Sequence, residues 1–380
     1  MAAASFRTPG LSRRTLFRLA ASGLSVRLPR LTAAPREKLR RKIVVVTLAG
    51  IRRQESFSTD GLRNIPKLAL ELMPRSLFYP YTLNEGVTSH FNTISSVLTG
   101  SWQHVDDWGR EAPSRPTLFD YVQKRLRLEP VETWAVSSNK QVTANLCPSA
   151  NVILTKQLLS EAIERTILSR VRGRQLESQA VLAEITAFLQ NETDEIGGEF
   201  ASPSTIRNPE LRRILLAGID NFLSGPDPPA SGDELTFFVA CEVMRRVAPA
   251  VLLINFSDVE VAHNGPYSLH LAGVRRVDAL CARLWEFIQQ QPEYQGRTTA
   301  VFMPEFGRDP DGSSTNGFFN HRTDSDSCRL TWMMVLGEGV KEPDVVERTV
   351  RHIDLTPTLG SLLSVDCDQA QGSRLPELTS

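Results

Sequence analysis

The 380-residue chain has no C-x-x-C pair, and its five cysteines, Cys147, Cys241, Cys281, Cys328 and Cys367, are scattered and odd in number. That spacing supports neither a zinc ribbon nor a disulfide framework, and the thiols read as small buried apolar side chains. Long apolar runs are also missing. The longest, such as Ile43 to Ala49 and Ala248 to Phe256, fall far short of the ~20 residues that a membrane-spanning helix needs, so no span is expected. Net charge is absent, since 43 Lys and Arg balance 43 Asp and Glu. Without an excess of base or an interleaved basic and aromatic surface, a nucleic-acid binder is a poor fit. No internal repeat is found, and with 41% hydrophobic residues the chain is neither collagenous nor disordered as a whole. Its length suits one large α/β domain carrying an insertion.

The charge balance conceals an uneven distribution. Residues 1–34 hold six arginines and no acid, and residues 35–42 form a basic linker, so the body that follows is net acidic. Ser12-Arg13-Arg14-Thr15-Leu16-Phe17-Arg18, followed by a short, weakly apolar stretch to Val26, resembles a twin-arginine export signal. The expectation is export to the periplasm, or a cytoplasmic protein if the leader is not processed.

From residue 43 the pattern is that of a doubly wound α/β fold. Ile43 to Leu48 is apolar on both faces, as in a buried parallel strand, and Glu132–Ser137, Ala250–Phe256, Thr298–Met303 and Leu330–Leu336 are similar. Helical spacing fills Thr117–Leu126, Leu271–Gln290 and Asp354–Leu363. Alternating strands and helices predict a mostly parallel sheet flanked by helices, with its active site at the carboxyl ends of the strands. Core segments are assigned to 43–154 and 236–366, a helical insertion or cap to 155–235, and a C-terminal tail to 367–380.

Five strand-end segments carry the chemistry. Thr47 to Glu55 follows the first strand. Gly86 to Gly100 sets polar residues before a helix, where the field of the helix N-terminus favours an anion. Asn255 to Gly265 brings Asp258, Glu260 and His263 past a buried strand, a carboxylate and imidazole set that zinc accepts. Phe302 to Asp309 carries Glu305 and Arg308, and Gly317 to Arg322 carries His321.

In order along the chain, these pieces resemble the alkaline phosphatase and sulfatase superfamily over most of residues 43–366. The resemblance rests on the opening strand and its Gly50-containing loop, the helix ending Leu98-Thr99-Gly100, Thr117 to Tyr121, Asp258 to His263, Pro304-Glu305-Phe306-Gly307-Arg308, His321-Arg322 and Asp354 to Leu359. It implies hydrolysis or transfer of phosphate, sulfate or phosphonate esters, commonly with two metal ions and a Ser, Thr or modified Cys nucleophile. Several positions depart from that pattern. The family's first-strand metal Asp falls on Ala49, its later Asp-His pair falls on Glu305-Phe306, and the Asp four residues before His263 falls on Val259. The nucleophile position, counted back from Gly100, falls on His90, while a local shift would offer Thr88, Ser89 or Thr93, of which Thr88 is preferred.

The resemblance therefore implies one divalent ion, zinc, rather than two, held by His263, His321 and Asp258 or Glu260. Glu305 would be a remnant of the second site unless Glu55, Asp60 or Asp309 substitutes there. Thr88 or Ser89 is the expected hydroxyl. Arg308, Arg52 or Arg322 is expected to steady an oxyanion on a small anionic ester. The alternative is a catalytically inactive relative that binds an anion or a partner.

Overall fold

The computed structural model describes residues 41–159, 161, 209–223, 231–312 and 317–378. The leader-like segment, most of the basic linker and much of the expected insertion lie outside these residues. Among them, in chain order, are β1 (Lys42–Leu48), β2 (Leu77–Leu83), α1 (His90–Thr99), α2 (Leu118–Leu126), β3 (Thr133–Ser137), β4 (Asn151–Leu154), α3 (Pro209–Leu223), α4 (Gly232–Arg246) and β5 (Val251–Phe256). There follow α5 (Tyr267–Gln290), β6 (Thr298–Pro304), the single turn α6 (Asp326–Arg329), β7 (Leu330–Gly337), the two-residue strands β8 (Asp344–Val345) and β9 (Val350–Arg351), and α7 (Leu355–Leu362).

The run of β-branched residues in β1 is buried along its whole length. Its side chains alternate between two apolar layers: Val44, Val46 and Leu48 join one, and Ile43 and Val45 the other. The first layer receives Leu215 and Ile219 of α3, Val239 of α4 and Val277 of α5. The second receives Ile94 of α1, Phe119 of α2 and Leu359 of α7. Burying one such aliphatic side chain contributes ~1.5–3 kcal/mol, so covering both faces is what places β1 in the interior.

Among the described residues the sheet has nine strands, in the order β4-β3-β5-β1-β6-β7-β2-β8, with β9 also paired to β2. β1 pairs in parallel with β5 and β6, and β3 in parallel with β4 and β5. β7 runs antiparallel to both β6 and β2. The sheet is thus mixed and mostly parallel, the latter as expected, and β2, β4 and α4 are among the elements that the sequence pattern had not marked. β2 contains Pro80, which has no N–H to donate, and its register against β7 shifts between Tyr79 and Thr82. β4 has only four residues. α4 starts inside the stretch assigned to the insertion and runs on into the core segment, and the Ser231 side chain accepts from the backbone N–H of Glu234 as its cap.

Two segments are better integrated than their composition suggested. Lys42, assigned to the linker, opens β1 and donates from Nζ to the Ala248 carbonyl at 2.7 Å. Residues 367–378, assigned to a tail, bury Leu375 and Leu378 and donate from the Gln371 N–H to the Gly100 carbonyl at 2.7 Å. Gly100 closes α1 with φ 66°, and an added Cβ would lie 2.8 Å from Ala370 Cβ, so glycine is required both by conformation and by space. No described helix is long and apolar enough to cross a membrane.

A buried histidine beneath α7 gives the fold an acid limit. The Thr331 hydroxyl donates to the Thr82 carbonyl, so it accepts from Nε2–H of His352 at 3.0 Å, which leaves Nδ1 bare and without a hydrogen-bond partner. Burial pushes the His352 pKa down to about 3. The folded state holds the neutral ring, whereas the unfolded chain takes up a proton below its ordinary value of about 6.5. Stability from this group is therefore present above that value and lost as pH falls toward about 3, by about 1.4 kcal/mol per pH unit at most. His352→Phe is expected to flatten the acid limb of a plot of urea midpoint against pH. An unchanged slope would show that His352 does not set it.

Candidate metal centre

The carboxyl ends of β1, β5 and β6 lie side by side, because Leu48 is in register with both Phe256 and Pro304. After β5 the chain enters a 3-10 turn, Asp258–His263. With three residues per turn, positions i and i+3 eclipse, which sets Glu260 and His263 on one edge and turns Val259 into the core. Glu305 leaves the end of β6, His90 is the first residue of α1, and His321 follows the short turn Gly317–Phe319.

These segments converge. Nε2 of His263 lies 2.9 Å from Oε2 of Glu260, and Nε2 of His90 lies 3.0 Å from the same oxygen. Nε2 of His321 lies 3.2 Å from Nε2 of His263. One donor atom from each of His90, Glu260, His263 and His321 falls within 4.8 Å of all the others. Two nitrogens at that separation match two zinc ligands, since bonds of ~2.0–2.1 Å at a tetrahedral angle put their ends ~3.3 Å apart.

The surrounding contacts set the tautomers. Nδ1 of His321 lies 2.7 Å from the Thr88 carbonyl, which can only accept, so Nδ1 carries the proton and Nε2 is bare. Nδ1 of His90 lies 2.7 Å from Oε2 of Glu305. The other oxygen of Glu305 accepts from Nδ2 of Asn255, and Oδ1 of Asn255 accepts from the Ser137 hydroxyl at 2.9 Å. A carboxylate or carbonyl behind an imidazole is the arrangement that orients histidine ligands in metal sites. Three imidazoles and one carboxylate form a donor set suited to zinc, and the residues present fit such an ion.

The electrostatics of the four groups differ. Burial presses the His90 pKa down, but the charges of Glu260 and Glu305 outweigh it and raise the group to about 10. Burial presses the Glu260 pKa up, yet Arg308 and His90 together hold it well below the ordinary carboxylate range. Burial, aided by the charges of His90 and Arg308, lowers His321 to about 4. The ring of Phe306 stacks on His321 with centroids 4.3 Å apart and lies 4.9 Å from His90, so it fills one flank of the cluster with apolar surface.

Of the residues singled out in the sequence, Glu260, His263 and His321 meet directly, and Glu305 joins them through His90. Asp258 turns away. Its Oδ2 accepts from Arg276 at 3.1 Å and from the Asp233 N–H at 3.2 Å, at the start of α4. The Thr88 hydroxyl is buried and donates to the His321 carbonyl at 2.8 Å, while Ser89 Oγ accepts from Nδ2 of Asn92 at 2.8 Å. Arg52 is committed to Glu55 and Asp311, and Arg322 to Asp309. Glu55, Asp60 and Asp309 stand outside the four-residue cluster, and Ala49 is fully buried with no donor to offer. His90 had been marked only as an awkward occupant of a nucleophile position. Its place at the first turn of a helix beside the strand ends was the signal that it could serve as a ligand.

No family model matches the chain, and no curated protein matches it. Among solved structures it is similar to a protein in the alkaline phosphatase superfamily from Vibrio parahaemolyticus, with 14% identity, a TM-score of 0.54, and 96% of this chain and 78% of that one covered. It is also similar to the alkaline phosphatase PafA, with 10% identity, a TM-score of 0.53, and coverage of 92% and 100%. A third is the phosphonate monoester hydrolase SpPMH from Silicibacter pomeroyi, with 13% identity, a TM-score of 0.51, and coverage of 89% and 76%. At these identities the likeness is one of fold.

Proposed function

We propose, from its alkaline-phosphatase-like fold, that this chain is a hydrolase of small phosphate or sulfate esters built around one divalent ion, zinc, held by His90, Glu260, His263 and His321. The observation that carries this reading is the convergence of those four donors at the strand ends. When bound, such an ion supplies Lewis-acid polarisation of an ester oxygen and a water of lowered pKa. The protein's own groups do the rest. Glu260 provides the compensating charge, and Glu305 and Thr88 hold His90 and His321 in their ligating orientation. His263, with 36% of its side chain exposed, marks the side open to solvent and substrate. The N-terminus of α1 turns its partial positive charge toward the same place. Because the Thr88 and Ser89 hydroxyls are engaged elsewhere, water is the nucleophile in this reading. The paired arginines of the leader-like segment support export as the setting for this activity.

A second reading, an anion- or partner-binding protein without turnover, is favoured by one feature. Four protein donors complete a tetrahedral shell, the mark of a structural zinc site. Elemental analysis of purified protein, run beside turnover of aryl phosphate and aryl sulfate, separates the two. About one zinc per chain with turnover, both lost in His263→Ala, is the expected result. One zinc without turnover selects the second reading, and neither metal nor turnover in a folded protein rejects both.

A further inference from the structure

Arg308 is fully buried in the loop that follows β6. Its Nε donates to the Gly50 carbonyl at 2.9 Å, one terminal nitrogen donates to the Phe318 carbonyl at 3.3 Å, and the other donates to Oε1 of Glu260. Gly50, at φ 47°, makes room for it, since a Cβ there would lie 2.6 Å from the guanidinium. With no exposed surface and all three faces engaged, this arginine is not placed to touch a substrate. Glu260 is thereby divided: Oε1 belongs to Arg308, and Oε2 faces His90 and His263. The acid on the other ring nitrogen of His90, Glu305, has its two oxygens on His90 and Asn255.

We infer that Arg308 is a built-in cation at this centre: it shares Glu260 with the bound ion, restricts that carboxylate to a single ligating oxygen, and keeps the site weaker and limited to one ion. A group touching one oxygen of a carboxylate is only a few ångströms from whatever touches the other, and at that range like charges repel strongly in a buried setting. A second divalent ion beside His90 would need a carboxylate oxygen, and those of Glu260 and Glu305, the acids that touch His90, are already committed. Arg308 is thus a positioning residue for Glu260, and the inference rests on reading the cluster as a metal centre.

The sign of the change in zinc affinity tests it. Zinc binding to the full chain is measured by competition with a chromophoric chelator, for the wild type, Arg308→Met and Arg308→Lys, with the stoichiometry read at zinc excess. Arg308→Met removes the charge and is expected to bind zinc at least about tenfold more tightly, while Arg308→Lys, which keeps it, stays within about threefold of the wild type. A purely structural arginine would give the opposite result, because a loosened loop weakens the site in both variants. Unchanged or weaker binding by Arg308→Met, or two ions bound by the wild type, overturns the inference. Zinc bound by Arg308→Met but not by the wild type keeps the inference and overturns the zinc-enzyme reading. Zinc bound by neither overturns both. Circular dichroism identifies any variant that has not folded, and in that case Arg308→Gln, which is also uncharged, takes the place of Arg308→Met under the same criteria.

Discussion

Glu260→Gln is expected to lose zinc binding altogether and to lower the unfolding free energy of the metal-free protein by about 3–5 kcal/mol. The carboxylate is 14% exposed and serves three partners at once: Arg308 on one oxygen, His90 and His263 on the other. An amide has one oxygen and one NH₂, so with its oxygen kept on Arg308 it offers His90 and His263 only an uncharged NH₂, which cannot ligate a metal ion. It also strips the counter-charge from a buried guanidinium, and breaking a buried pair by removing one partner costs far more than the pair itself contributes. Zinc titration and urea denaturation measure the two effects separately. Normal zinc stoichiometry in this variant would remove Glu260 from the ligand set, and normal stability would show that Arg308 finds another partner.

His90→Ala is the second large effect. If His90 is a ligand, its loss removes one of four donors, and zinc affinity should fall by at least about 100-fold, the upper end of what even an outer-shell partner of a metal ligand contributes. The metal-free protein should weaken as well. Glu305 is buried and would keep only Asn255, so a carboxylate would be left without a cationic neighbour, at a cost of about 2–4 kcal/mol. His90→Ser is the informative companion, since it sets a hydroxyl where the superfamily resemblance places a nucleophile. It is expected to lose zinc as the alanine variant does. Affinity within a few-fold of the wild type in both variants would define a three-donor site with His90 as a neighbour only.

The core strands were legible because burial is written locally. Ile43 to Leu48 has no polar residue except Thr47, and a strand apolar on both faces has no stable place except inside a covered sheet. β2 was not marked: Pro80 interrupts its pattern, and the chain resumes pairing beyond it. At the candidate site, the segments carrying Glu260, His263 and His321 could be picked out in the sequence, and the structure brings those three side chains together. Asp258 and Glu260 could not be separated from spacing alone. The fold separates them: Glu260 faces His263 at 2.9 Å, while Asp258 accepts from Arg276 and the Asp233 N–H.

What the amino-acid sequence determined by itself was the α/β architecture and the runs of polar and charged residues that follow its core strands. What only the tertiary structure decided was the company each charged group keeps. His90 meets Glu260 across 170 residues and Glu305 across 215, and Arg308 reaches back to Gly50 across 258. Hydrophobic periodicity repeats every two or four residues and can be read in a short window. A coordination shell is assembled from segments that share no local pattern, and it exists only once the sheet has set its strand ends side by side.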